Sequence, residues 1–241
     1  IGAESDAGVP FDGKIDDVRI YGYALSADQV KKIYQTTAPT QPVDTSLVGH
    51  WTFDGTDIQG TTAIDRSSFG NNGTITGATK TIGKLGQALS FNGGSDEIGT
   101  AGPSLTTTYT LSLWIYPTAG NVGSFHGLIM EYYSGLYYIR DTSPLCNYIN
   151  AVDLHDTSER CNNTHLGDNQ WHHIVVVNSA GAVTFYLNGT PDGTATGGMA
   201  FDVGSIGSGF GGYFAGKIDD VRVYNRALSA TEVADLYNMG K

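Results

Sequence analysis

One passage occurs twice in this chain, and that duplication limits what the chain can fold into more than any other feature. Residues 11–34 read FDGKIDDVRIYGYALSADQVKKIY, and residues 214–237 read FAGKIDDVRVYNRALSATEVADLY. Most positions are identical. The copies stand roughly 200 residues apart, the size of one all-β domain. The expected organisation is the C-terminal part of one domain over residues 1–36, a linker over 37–46 and a complete domain over 47–241. This pattern suits a link in a tandem array within a longer protein.

Each copy divides into a strand and a helix. In GKIDDVRIY, Ile15, Val18 and Ile20 alternate with polar residues, the period of a strand. Ser26 then precedes Gln29 at capping-box spacing, as Ser229 precedes Glu232, and apolar residues follow at helical spacing. Residues 37–46 hold Pro39, Pro42 and several threonines, a semi-stiff linker composition. From Leu47 onward the signals are strands and turns. LVGHWTFD at 47–54, QALSFNG at 87–93, YTLSLWIYP at 109–117 and KIDDVRVY at 217–224 read as strands. GLIMEYY with LYYIR, and WHHIVVVN with AVTFYLNG, read as hairpins over 127–140 and 171–189. Many short strands and one late helix mean an all-β fold, a two-sheet antiparallel sandwich or jelly roll with a short C-terminal helix.

Composition narrows the setting. Charged residues make up 15%, with 33 glycines and 14 tyrosines, which suits a secreted β-protein. A net charge of −11 argues against nucleic acid or an anionic membrane surface as partner. No apolar run approaches the ~20 residues of a membrane span. Cys146 and Cys161 flank a polar stretch without metal-type spacing. A disulfide closing that loop in an oxidising compartment is the reading favoured, with two reduced buried thiols as the alternative.

Seven motifs in order carry a family resemblance: HWTFDG (50–55), DRSSFGNNGT (65–74), GQALSFNGGSD (86–96), TLSLWIYP (110–117), WHHIVVV (171–177), FYLNG (185–189) and GKIDDVRVYNRALS (216–229). Together they resemble the laminin-G-like domain of the concanavalin A-like lectin/glucanase superfamily, as in tandem repeats of large secreted bacterial surface proteins. That superfamily includes glycan binders, adhesion modules and glycoside hydrolases, so the fold does not settle the function. The resemblance implies a Ca²⁺ site. Asp219 matches a final-strand aspartate ligand of related glucanases, Gly93 the carbonyl donor, and Asp54 is a further carboxylate. The alternative is that Asp219 pairs with Arg222 or caps a turn. Asp65, Asn71 and Asn72 form a second oxygen-rich loop that also reads as an Asx-type turn.

The chemistry expected is binding, not catalysis. Retaining glycosidases need two carboxylates about 5 Å apart, and no strand here carries such a pair. Glu131 stands alone, and Asp153 and Asp156 sit off any clear alternation. His172 and His173 are adjacent on a strand and point apart, which favours structural roles. Tyr132, Tyr133, Tyr137 and Tyr138 cluster on one hairpin, with Trp114 and Tyr116 elsewhere, and aromatic faces can stack on sugar rings. The expectation is a non-catalytic extracellular or cell-surface module for a glycan or surface protein. The main alternative is a repeat of an extracellular filament, with glycoside hydrolysis third. A neighbouring repeat or subunit is expected to complete residues 1–36.

Overall fold

A computed structural model describes residues 18, 20–22, 24–26, 29, 30, 44–118, 125–131, 134–139, 151–155, 160–209 and 212–241. The chain divides into two compact units, 1–44 and 45–241. The linker residues 37–43, and Ile15, Asp16 and Asp17 of the first copy, lie outside the described residues.

In the first unit the capping pair forms as its spacing predicts. The Gln29 amide donates to Ser26 Oγ at 3.3 Å, and the Ser26 amide donates to Gln29 Oε1 at 2.9 Å. Among the described residues of this unit, Val18 is 52% exposed, Ile20 91% and Val30 53%, and Leu25 is half-buried.

The second unit is a sandwich of two antiparallel sheets. Its main strands are β1 (Leu47–Trp51), β2 (Gly73–Thr76), β3 (Thr79–Ile82), β4 (Gln87–Asn92), β5 (Glu97–Thr100), β6 (Thr108–Pro117) and β7 (Phe125–Glu131). There follow β8 (Ser134–Ile139), β9 (Ala151–His155), β10 (His172–Ser179), β11 (Ala182–Leu187), β12 (Thr190–Thr196), β13 (Ser205–Ile206) and β14 (Ala215–Tyr224). One sheet runs β12-β11-β10-β6-β14-β4-β3, with β1 also paired to β14. The other runs β9-β8-β7-β13-β5-β2 and ends in two short strands, Thr62–Ala63 and Ile58–Gln59. The period-2 alternation sends Leu111, Leu113 and Ile115 of β6, and Ile174 and Val176 of β10, into the core between the sheets. Deleting such a side chain typically costs about 2–5 kcal/mol.

The first sheet is buried on its outer side as well. A C-terminal helix, α1 (Ala230–Met239), lies on it, so β10 reads as a nearly continuous apolar run. Val175 and Val177 pack there with Val233 and Leu236 of α1. The helix starts at a capping box: Ser229 Oγ accepts the Glu232 amide, and the Glu232 carboxylate accepts the Ser229 amide at 2.8 Å. Gly189 has φ 78°, and a Cβ there would sit 2.9 Å from the Tyr237 ring, so the hairpin passes beneath the helix only as glycine.

The closing strand β14 is central in its sheet. It pairs with β6 on one side; on the other it meets β4 over Ala215–Ile218 and β1 over Val221–Tyr224. The change of partner coincides with a bulge between Asp219 and Arg222, where Asp220 takes φ 46°.

Candidate functional site

The second sheet carries a compact polar–aromatic group on the face turned away from the core. On β8, Leu136 and Tyr138 point into the core, so Tyr137 points out. On β9, Val152 and Leu154 point in, so Asp153 and His155 share the face with Tyr137. Register sets Tyr137 directly opposite Asp153. Phe125, at the start of β7, completes a ring cluster: its centroid lies 5.6 Å from Tyr137 and 5.4 Å from His155, and Tyr137 and His155 are 5.6 Å apart. His155 Nδ1 lies 3.0 Å from Asp153 Oδ2; the imidazole is 25% exposed and the carboxylate fully buried.

The electrostatics follow from burial. Desolvation pushes the Asp153 carboxyl up, while His155 and the Arg160 amide and charge pull it down. Desolvation, then the Asp153 charge, pushes the Tyr137 phenol up to about 12, so it stays a hydrogen-bond donor. Cys161 borders the group: its Sγ is 3.9 Å from Asp153 Oδ1, and Asp153 and Cys161 form an isolated antiparallel bridge.

The hairpin tyrosines therefore separate. Tyr137 belongs to the outward group but is itself buried, 3% exposed, packed with Met130. Tyr138 is in the core, edge-on to Phe214 at 5.9 Å, and cannot stack on a sugar. Tyr132, Tyr133 and Cys146 lie outside the described residues. Trp114 is also no platform, because α1 covers it and Tyr237 stacks on it at 5.6 Å. Tyr116 is half-buried, edge-on to Trp171 at 5.5 Å with the Lys217 ammonium 5.1 Å from its ring. Both histidines of the WHH segment are buried. His172 Nε2 meets the Gly167 carbonyl at 2.8 Å, and His173 Nε2 meets Ser112 Oγ at 3.0 Å. Asp153, read from sequence as lying off an alternating strand, stands on β9. The alternation Val152-Asp153-Leu154-His155 was the signal that could have placed it. Glu131 is exposed, and its carboxylate accepts the Asp202 amide at 3.1 Å.

Asp54 and Asp219 meet around the loop joining β3 to β4. Asp219 Oδ2 accepts the amides of Lys84 and Leu85 at 2.7 and 2.8 Å, and Asp54 Oδ1 accepts the Gln87 amide at 2.7 Å. Gly86 (φ 72°) packs so closely that a Cβ would collide with the Asp54 carboxylate. Burial, with smaller contributions from Asp220 and Asp54, pushes the Asp219 carboxyl up to about 7 against the two amides. Asp219 Oδ1 is buried with no hydrogen-bond partner. At the bulge Asp220 turns to other partners, His50 at 2.9 Å and Arg222 at 3.0 Å. Arg222 thus pairs with Asp220 and not with Asp219.

Gly93 does not join this pair. It follows Asn92, which pairs with Ala215, four residues before Asp219. At ~3.3 Å per residue that is about 13 Å away. Among the described residues no group of three or more His, Cys, Asp and Glu side chains could hold a metal. What fits a cation is one unspent oxygen on Asp219 beside the Asp54 carboxylate, with carbonyls and water needed for the remainder of a six- to eight-oxygen shell. The Asp65 loop is an Asx-type structure: its oxygens accept the amides of His50, Ser67 and Asn71 and the Ser67 hydroxyl.

Fold and site together define a lectin-like β-sandwich. The Laminin_G_3 family, described as the concanavalin A-like lectin/glucanases superfamily, matches residues 92–234, more than half of the chain. The chain belongs to this family. A stretch of 159 residues is 25% identical to the adhesion G-protein coupled receptor V1 of Danio rerio, of which the chain spans only 2%. Among solved structures, domain 4 of AbnA, an extracellular arabinanase of Geobacillus stearothermophilus solved with arabinotriose, matches with TM-score 0.61 and 22% identity. That match covers 80% of this chain and 98% of the domain. The ligand binding domain of botulinum neurotoxin serotype D, solved with N-acetylneuraminic acid, matches with TM-score 0.61 and 14% identity, over 81% of this chain and 51% of that one. The binding domain of Paraclostridial Mosquitocidal Protein 1 matches with TM-score 0.59 and 17% identity, covering 81% of this chain and 52% of that one. These likenesses establish the fold. Among the described residues no helix is long and apolar enough to cross a membrane.

Proposed function

We propose that the chain is a non-catalytic glycan-binding module that works outside the cell. The observation that carries this reading is the Phe125–Tyr137–His155 ring cluster beside the buried Asp153 carboxylate. The part-exposed Phe125 ring supplies apolar area for a pyranose or furanose ring and the part-exposed His155 imidazole a polar group for its hydroxyls, while the buried Tyr137 and Asp153 hold these two rings in place. Two similar folds were solved with saccharides, arabinotriose and N-acetylneuraminic acid, which supports a saccharide as the ligand class. A glycan array on the intact chain, followed by calorimetry, tests the reading. Phe125→Ala should weaken the best glycan at least about tenfold with the thermal midpoint little changed, and His155→Asn, which keeps an N–H for the buried Asp153 carboxylate, should weaken it likewise. Uniform failure to bind, or binding indifferent to both variants, would sink it.

Two further parts of the reading rest on residues beside this site. Cys161 borders the ring cluster, and a bridge to Cys146 would pin a loop at its rim; iodoacetamide should then label neither cysteine until a reductant is added. Calcium, if bound, sits at Asp219 with Asp54, where it would supply charge neutralisation for the buried carboxylate and hold the loop between β3 and β4.

A further inference from the structure

We propose a second binding site, on the outer face of the first sheet, for a saccharide that carries carboxylates. It shares no residue with the ring cluster of the second sheet. Strand register builds it. On β6, Leu113 and Ile115 enter the core, so Tyr116 points outward. Lys217 of β14 lies directly opposite Tyr116, and Ser90 of β4 lies directly opposite Lys217. Trp171, just before β10, meets the Tyr116 ring edge-on at 5.5 Å. Ser90, Lys217, Tyr116 and Trp171 thus form one row across four strands, about 14 Å long at ~4.8 Å per strand. All four are partly exposed. The end of α1 lies on Trp114, where a Cβ on Gly240 would strike the indole, and the row begins beyond it.

The charges at this row select an anion. Acidic side chains outnumber basic ones, 24 to 13, yet Lys217 and Lys84 form no ion pair among the described residues. Each ammonium instead lies over an aromatic ring, Lys217 over Tyr116 and Lys84 over Trp114, both at 5.1 Å. Tyr116 and Trp114 are two residues apart on β6, about 7 Å along the strand, so the two cations serve neighbouring positions of one ligand. A cation–π contact at a partly exposed site is weaker than a charge-assisted hydrogen bond, so an incoming carboxylate can claim either ammonium. The Ser90 and Tyr116 hydroxyls make no hydrogen bond among the described residues. Hydroxyls, aromatic rings and ammoniums in one line match the hydroxyls, apolar ring faces and carboxylates of an acidic sugar chain. An acidic peptide would use the ammoniums and leave the hydroxyl–aromatic row idle.

Calorimetry on the intact chain with trigalacturonic acid and with a hyaluronan hexasaccharide tests the site, each acid against its neutral methyl ester. At least one acid should bind, its ester should bind at least about tenfold more weakly, and added salt should weaken the acid. Lys217→Gln with Lys84→Gln should lose at least about tenfold in that affinity, whereas Lys217→Arg with Lys84→Arg should retain it. Phe125→Ala should leave it unchanged. The inference is overturned if neither acid binds, if the esters bind as well as the acids, or if the double Gln variant binds like the parent. Equal competition by hexaglutamate would also overturn it, since charge alone would then explain the binding. Loss of the acid in Phe125→Ala would move it to the second sheet, which removes this site and leaves the proposed function standing.

Discussion

Asp219 is the residue whose environment has the sharpest consequence. Its carboxyl titrates near pH 7 in the fold against 3.8 in a free chain, so the fold holds the proton and not the charge. The associated stability is fully present below pH 3.8 and is lost as pH rises through about 7. Its ceiling is on the order of 4 kcal/mol, at about 1.4 kcal/mol per unit. Thermal midpoints measured from pH 5 to 8 should therefore fall in the parent chain and stay flatter in Asp219→Asn, which keeps an acceptor for Lys84 and Leu85. Calcium favours the ionised carboxylate, so adding it at pH 8 should restore the lost stability in the parent and not in the variant. Equal midpoints with calcium and with chelator would remove calcium from this site. His173 tilts the other way. Burial pulls its imidazole down to about 4, so its contribution is present above pH 6.5 and lost as pH falls through 4.

At the scale of elements, the period-2 pattern made most strands legible in advance. β6 and β10 show why the pattern does not tell function. Both faces of these strands are buried, one by the opposite sheet and one by α1, so Trp114 looks like a surface aromatic in sequence and is a helix seat in the fold. The bulge at Asp219–Asp220 was hidden for a related reason. An extra residue leaves no mark on composition, and here it gives Asp220 the His50 and Arg222 partners while Asp219 keeps the Lys84 and Leu85 amides. Asp153 and His155 come together across one strand pitch, but their closeness to Phe125 and Tyr137 depends on the pairing of β7, β8 and β9, which no local pattern encodes. The capping box of α1 was fully readable, and it predicts a cost. Ser229→Ala should lower stability by about 1 kcal/mol in denaturant titration. Arg226 and the Ser229 amide hold the Glu232 carboxyl down at about 2, so neutralising it by mutation should add to that loss.

For the whole molecule, the division at residue 44 separates a small unit, in which Val18 and Ile20 are exposed, from a sandwich with a continuous core. Val18→Asp with Ile20→Asp should accordingly leave the main thermal transition within a few degrees of the parent, because neither residue belongs to that core. The linker composition around Pro39 and Pro42 marked a division in the sequence, and the two compact units part at residue 44.

The central position of β14 has one more consequence, for the order of events during synthesis. This strand joins β6 to β4 and β1, yet it follows every other strand of the sandwich in sequence, and His50 finds Asp220 across 170 residues. Until residues 215–224 emerge, the first sheet is in three pieces, β12-β11-β10-β6, β4-β3 and β1, with no strand to join them. Whatever holds back residues 215–224 during synthesis therefore holds the sandwich unlatched.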